Sequence, residues 1–197
     1  MSTLEFFFDY ASPYSYLASS QVEGIARRAG AVLEWHPFFL GGVFKATGNS
    51  SPALVPHKAI YMLQDLLRWT RHYGLPDFTL PDPFPAWSIT SLRLALVAQD
   101  EGKLPAFSHL LYRQVFALGK DQAQVAVLTE VMREAGLDPD ACMDRARSQE
   151  IKDRLRKNTE EAVERGSFGA PTFFVGEEMF VGNDRLNFVE QALKASA

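Results

Sequence analysis

The chain has 197 residues, of which 47% are hydrophobic and fifteen are phenylalanine, enough for one substantial core or for one domain carrying a large insertion. Its 20 basic residues against 24 acidic ones leave a formal net charge of −4, which gives no reason to expect nucleic acid or an anionic membrane as partner. No apolar run approaches the ~20 residues of a membrane span, and the N-terminus enters strand-like sequence without the basic and apolar segments of a secretory signal.

In chain order, Leu4 to Asp9 reads as a short buried strand, aromatic and bounded by turn formers. Ser12-Pro13-Tyr14-Ser15 then opens a helix, with Ser12 as N-cap and Pro13 at the first helical position, where its missing N–H costs nothing. This helix is expected to run to about Arg28, to turn Leu17, Ile25 and Ala29 inward, and to stop at Gly30. Ala31 to Leu40 reads as a second strand, interrupted or ended by Pro37. The first forty residues therefore spell β-α-β.

The segment GGVFKATGNSSPALVP has loop chemistry. His57 to Tyr73 turns helical, with Ile60, Leu63 and Leu67 on one face, and the aromatic and methionine spacing of Tyr61, Met62 and Trp69 reads as core. Residues 76–85 form a loop with four prolines. Helices are then expected over Ser88–Glu101, Leu104–Leu118, Gln122–Ala135 and Asp138–Glu164, the last broken near Ser148. Strand signals return only at Thr172–Val175 and Met179–Val181, flanking the turn 176–178. Asn183-Asp184 is expected to cap a final amphipathic helix containing Leu186, Val189 and Leu193. A long helical block inside a β-α-β frame argues for an inserted helical subdomain.

A strand feeding straight into a helix through four small or polar residues is where thioredoxin-like proteins keep a C-x-x-C pair. Here both ends of the tetrapeptide are serine. The one cysteine, Cys142, cannot form an internal disulfide and has the spacing to be buried with Ala146, which fits a reducing, cytoplasmic setting. Disulfide exchange by this chain is thereby ruled out. The histidines at 36, 57, 72 and 109 are scattered, and no metal site is expected.

Five segments carry a resemblance: FDYASPYSYLA at 8–18, PFFLGGVFKATGN at 37–49, PHKAIYMLQDLLRW at 56–69, GSFGAPTFFVG at 166–176 and MFVGNDRL at 179–186. In this order they resemble the α/β thioredoxin-like fold with a large all-helical, DsbA-like insertion. Within it they resemble the branch of kappa-class glutathione transferases and 2-hydroxychromene-2-carboxylate isomerases. The resemblance implies a thioredoxin-like domain from residues 1–50 and 165–197, with 51–164 as the inserted helical subdomain. It also implies a homodimer. Val181 and Asn183 depart from the residues the pattern carries there, which bears on substrate identity rather than on cofactor use.

The resemblance further implies glutathione as cofactor, with Ser12 as the catalytic residue. A helix N-terminus stabilises anions, and a hydroxyl there can donate to a thiolate brought by a cofactor instead of by the protein. Ala170-Pro171 is implied to be cis, aiming the backbone of Ala170 at the extended cysteinyl unit of the tripeptide. Asn49 and Lys58 are implied at its glycyl end, and Asn183 and Asp184 at its γ-glutamyl end. Taken singly, Lys58 reads as a solvated helix residue and Asp184 as a dipole-matching cap. Phe39 and Trp87 are candidates for walls of an aromatic substrate's pocket, and Lys45 or Arg68 for a cation near a substrate carboxylate. The function implied is a glutathione-dependent isomerase acting on a small aromatic keto acid. The alternatives are a transferase that conjugates electrophiles and a non-catalytic binding module on the same fold.

Overall fold

The computed structural model describes residues 2–75 and 78–196. Its sheet is organised on the aromatic run near the N-terminus. Strand β1 (Thr3–Phe8) pairs in parallel with β2 (Val32–Pro37) on one side and antiparallel with β3 (Thr172–Val175) on the other, and β4 (Glu178–Val181) forms a hairpin with β3. The order across the sheet is β2-β1-β3-β4. The thioredoxin-like α/β class is the one found.

Strand β1 is apolar on both faces because both faces are covered. Phe6 and Phe8 enter the larger core with Trp35 and Phe173, whereas Phe7 enters a second cluster with Phe38, Val43 and Phe174. Phe6 lies 5.2 Å from Phe8 and 5.3 Å from Phe173 between ring centroids. Each such fully buried ring contributes about 1.5–3 kcal/mol relative to exposure. Helix α1 (Pro13–Ala29) starts as expected: the Ser12 hydroxyl accepts the Ser15 N–H at 3.2 Å, and Pro13 takes the first position. It ends on Gly30 at φ +63°, a left-handed conformation that disfavours any Cβ.

Between β2 and β3 run α2 (Leu40–Thr47), α3 (Pro56–His72), α4 (Ile89–Asp100), α5 (Leu104–Tyr112), α6 (Val125–Glu134), α7 (Pro139–Ala146) and α8 (Gln149–Glu164), and α9 (Leu186–Ala195) follows β4. Among the described residues no strand interrupts this helical block, and the larger core runs from β1 into α4, α5, α6 and α8 without a break. The break near Ser148 is present, and the Ser148 hydroxyl caps α8 by accepting the Ile151 N–H. Cys142 is buried beside Ala146, as its spacing suggested. No helix among the described residues is long and apolar enough to cross a membrane.

Three expectations are corrected, and the buried face of α3 is resolved. Helix α2 occupies part of the segment expected to be loop. Its glycines serve close approach, since a Cβ on Gly41 would come within 2.6 Å of the Phe39 ring. On α3 the buried stripe is Met62, Leu66 and Thr70, while Ile60 and Leu63 are 61% and 42% exposed. The period is helical as expected, but Leu17 of α1 selects a neighbouring face. Helix α5 stops at Tyr112, and Arg113–Ala117 continue as a wide π turn whose Phe116 carbonyl accepts the Thr79 N–H at 2.9 Å. Asn183 and Asp184 do not cap α9. They sit in a 3-10 turn, Asn183–Arg185, where Asp184 pairs with Arg185 at 2.7 Å. Of the loop expected over 76–85, Pro76 and Asp77 lie outside the described residues.

Candidate active site

The strand-to-helix junction places Ser12 where three segments meet. Its hydroxyl accepts from Ser15 within the first turn of α1 and donates to the carbonyl of Ala170 at 2.9 Å. The Ala170–Pro171 bond is cis. Ser12 itself is 4% exposed, yet it lines a cleft of about 650 Å³ that opens between the thioredoxin-like frame and the helical block. Two backbone donors border this hydroxyl. Pro13 has no N–H, and the N–H groups of Tyr14 and Ala170 take no hydrogen bond among the described residues. Unpaired amides at the start of a helix are the groups that receive an anion.

Asp9, at the end of β1, fixes the geometry around Ser12. It is 1% exposed, and its two carboxylate oxygens accept the Ala11 and Leu40 N–H groups at 2.8 Å each. The Ser88 hydroxyl, just before α4, lies near enough to favour its charged form. One carboxyl therefore ties the β1–α1 turn to the starts of α2 and α4. Burial raises its pKa from the ordinary carboxylate value, and the Ala11 and Leu40 N–H groups with the nearby Ser88 hydroxyl only partly offset that push. From the sequence Asp9 looked like no more than the turn former that ends a strand. Its partner at Leu40 is 31 residues away, and no local pattern marks such a contact.

The cleft walls are largely aromatic and aliphatic. Phe39 and Trp87 are both on them, with ring centroids 6.0 Å apart in an edge-to-face contact. Phe44, Leu54, Phe84 and Phe168 extend the walls and had not been singled out. Among the described residues that line the cleft there is no lysine, arginine or histidine. Neither Lys45 nor Arg68 reaches it.

The remaining candidates divide. Asn49 lines the cleft, donating to the Phe168 carbonyl at 2.8 Å while its own amide oxygen accepts the Ser50 N–H. Pro171 is buried behind Ala170. Lys58 lies outside, in an adjoining groove that shares Tyr14, Pro52 and Met62 with the cleft. Asn183 and Asp184 line a different hollow beside Trp69, His72 and Tyr73. Asn183 is 2% exposed, and its carbonyl accepts from the Tyr73 hydroxyl at 3.3 Å. Tyr14 links the groups: its hydroxyl donates to Asp65 at 3.4 Å. Burial first, then Asp65 and, more weakly, Asp184 raise its pKa well above the ordinary tyrosine value, so it stays protonated.

A cis-proline strand facing a capped helix, with a helical block inserted between them, defines a DsbA-like thioredoxin domain, and the family model of that description matches residues 3–194. A 2-hydroxychromene-2-carboxylate isomerase of Sphingobium xenophagum is 36% identical over 196 residues, covering 97% of both chains. A glutathione S-transferase kappa 2 of Caenorhabditis elegans is 32% identical over 201 residues, covering 93% of this chain and 88% of the other. A solved structure of 2-hydroxychromene-2-carboxylate isomerase superposes with a TM-score of 0.89 at 28% sequence identity, over 98% of this chain and 95% of that one. This chain belongs to the family of 2-hydroxychromene-2-carboxylate isomerases and kappa-class glutathione transferases, within the DsbA-like thioredoxin fold.

Proposed function

We propose that this chain is a glutathione-dependent isomerase that interconverts 2-hydroxychromene-2-carboxylate and trans-o-hydroxybenzylidenepyruvate. The observation that carries the proposal is the Ser12 hydroxyl, held at the N-terminus of α1 against the Ala170 carbonyl on the floor of an aromatic cleft. The residues fit a tripeptide with two carboxylates and one ammonium. The N–H groups of Tyr14 and Ala170 lie on the segments that meet at Ser12, the Asn49 amide lines the same cleft, and Lys58, which has no ion-pair partner among the described residues, lies in the groove beside it. Asp184 lies within electrostatic reach of Tyr14.

Held at Ser12, glutathione would supply a thiolate nucleophile for reversible addition to the conjugated alkene of the ring-opened keto acid, and would be regenerated. The chain's own work is electrostatic. The Ser12 proton, now on the Ala170 carbonyl, can turn about the Cβ–Oγ bond to a sulfur anion while the oxygen keeps its bond to Ser15. With the Tyr14 N–H and the positive end of α1, that hydrogen bond favours the ionised thiol. Asp9 keeps the Ser12 turn in register with α2 and α4. Phe39, Phe84 and Trp87 hold a planar ring and exclude water from it.

A second reading, conjugation of glutathione to electrophiles, has one observation in its favour: among the described residues that line the cleft, none offers a side-chain cation to a substrate carboxylate. Turnover with a known amount of glutathione separates the two. An unchanged glutathione pool after many turnovers supports isomerisation. Loss of one glutathione per product assigns the chain to conjugation.

A further inference from the structure

Beside the cleft lies a second hollow, of about 460 Å³ and open to solvent, lined by α2, α4 and α8. Helix α8 contributes Lys152, Leu155, Arg156, Thr159 and Val163, a spacing that puts all five on one face. This face joins an apolar strip, Leu155 and Val163, to two cations. Ile89 and Phe39 extend the apolar wall from the opposite side.

Arg93 of α4 projects among them, and its surroundings are unusual for this molecule. Its Nε is buried with no hydrogen-bond partner, and among the described residues its guanidinium enters no ion pair. Other half-buried arginines here are fully engaged: Arg154 bonds both oxygens of Asp100, and Arg165 both oxygens of Glu5. A buried guanidinium N–H without an acceptor in the chain is costly, and leaves that donor open to an acceptor from outside the chain. Lys152 is likewise without an ion-pair partner among the described residues. Arg156 is engaged with Asp153 at 2.9 Å and Glu160 at 3.8 Å. Glu160 and Glu164 also line the cavity, so its three cations exceed its anions by one.

We propose that this cavity is a binding site for an apolar monocarboxylate. The carboxylate lies on the fork of Arg93 and against Lys152, where planar bidentate pairing is available. The apolar body packs on Phe39, Ile89, Leu155 and Val163. The two glutamates reject a second negative charge on the ligand, which separates a monocarboxylate from a dicarboxylate or a phosphate. Thr159 takes no direct part, because its hydroxyl already accepts the Phe39 N–H at 2.9 Å and donates to the Leu155 carbonyl at 2.8 Å. Phe39 is common to both cavities and packs on Trp87 across the cleft. The occupant therefore rests on a residue that walls the active site. The site stands independently of the proposed chemistry at Ser12.

The test uses the whole chain, labelled on isoleucine, leucine and valine methyls, with 4-phenylbutyrate, octanoate and the neutral 4-phenylbutyramide as probes. Both acids are expected to shift the methyls of Ile89, Leu155 and Val163 in a saturable way, and the amide to bind about tenfold more weakly or not at all. Arg93→Gln and Lys152→Gln are each expected to weaken the acids about tenfold. Should Arg93→Gln not fold, Lys152→Gln, at a half-buried position, and the acid-against-amide contrast decide alone. Shifts confined to Leu54 in the catalytic cleft, equal binding of acid and amide, or no saturable shift at these three methyls would each overturn the site.

Discussion

The hydroxyl of Ser12 and the carbonyl of Ala170, 158 residues apart in the chain, are joined by a hydrogen bond of 2.9 Å. This contact brings the N-terminus of α1 against the backbone that precedes β3. It is also the one point where the helix dipole, a movable hydroxyl proton and an extended backbone segment converge. A redox thioredoxin would place a sulfur there, and this chain places the hydroxyl oxygen of Ser12.

Ser12→Ala separates the two duties of the hydroxyl. Loss of the cap to Ser15 is expected to cost about 1 kcal/mol of stability. Loss of the charge-assisted bond to sulfur is expected to lower kcat/KM by roughly 10- to 100-fold, the equivalent of about 1.5–3 kcal/mol. Urea unfolding reads the first and steady-state kinetics with saturating glutathione the second. A variant that loses stability alone would leave Ser12 as a structural cap.

Asp9 predicts a pH dependence. Burial raises its folded pKa above the ordinary value of 3.8, so the folded chain holds that proton more tightly than the unfolded chain. The stability tied to the proton is fully present below the unfolded pKa and is lost as pH rises through the folded one. Asp9→Asn cannot ionise and lacks this loss. The stability of the wild type minus that of the variant should therefore fall as pH rises from about 4, measured by urea unfolding over a pH series. A difference that stays constant or grows would contradict the burial account of Asp9.

Gly182 sits at φ +99°, ψ 147°, and a Cβ there would lie 2.5 Å from an Asp184 carboxylate oxygen. This backbone region is essentially confined to glycine. Gly182→Ala is expected to destabilise by about 1–3 kcal/mol and to displace Asp184. If Asp184 meets the γ-glutamyl ammonium, KM for glutathione rises more than kcat falls. An unaltered KM in the destabilised variant would remove Asp184 from the binding set.

Arg165 grips Glu5 through two bonds of 2.6 and 2.9 Å, donates to the Gly176 carbonyl and lies 3.6 Å over the Phe174 ring. A lysine keeps the charge but neither the fork nor the planar stack. Arg165→Lys is expected to cost about 1–2 kcal/mol in urea unfolding. Activity per folded molecule should not change, because Arg165 lines neither the cleft nor the groove beside it. A variant as stable as the wild type would show that charge alone matters at this pair.

What could be read from the sequence was what is local. Ser12 followed by Pro13 marks a helix start within four residues, and TFFV with MFV around a turn marks a hairpin. Asp9, the Phe44 and Phe168 walls and the pairing of Arg165 with Glu5 depend on contacts across the fold, which leave no periodic trace. The Gly41-Gly42 pair concealed α2, because the glycines there make room for the Phe39 ring while looking like loop punctuation. On α3 the period and the core character of Met62 were legible, but not its partner, since Leu17 lies on another helix and packs on Met62 and Leu66. Lys58, Asn183 and Asp184 were grouped with Ser12 by resemblance, and they lie in hollows beside the Ser12 cleft instead of on its walls.

The central claim is that the start of α1 ionises a thiol that the chain does not own. The direct measurement is an ultraviolet difference titration of bound glutathione against pH, in the wild type and in Ser12→Ala. The wild type should show thiolate absorbance at neutral pH, well below the range where free thiols ionise, with the transition moved upward in Ser12→Ala. A bound thiol that ionises only where free thiols do, equally in both proteins, would contradict the account.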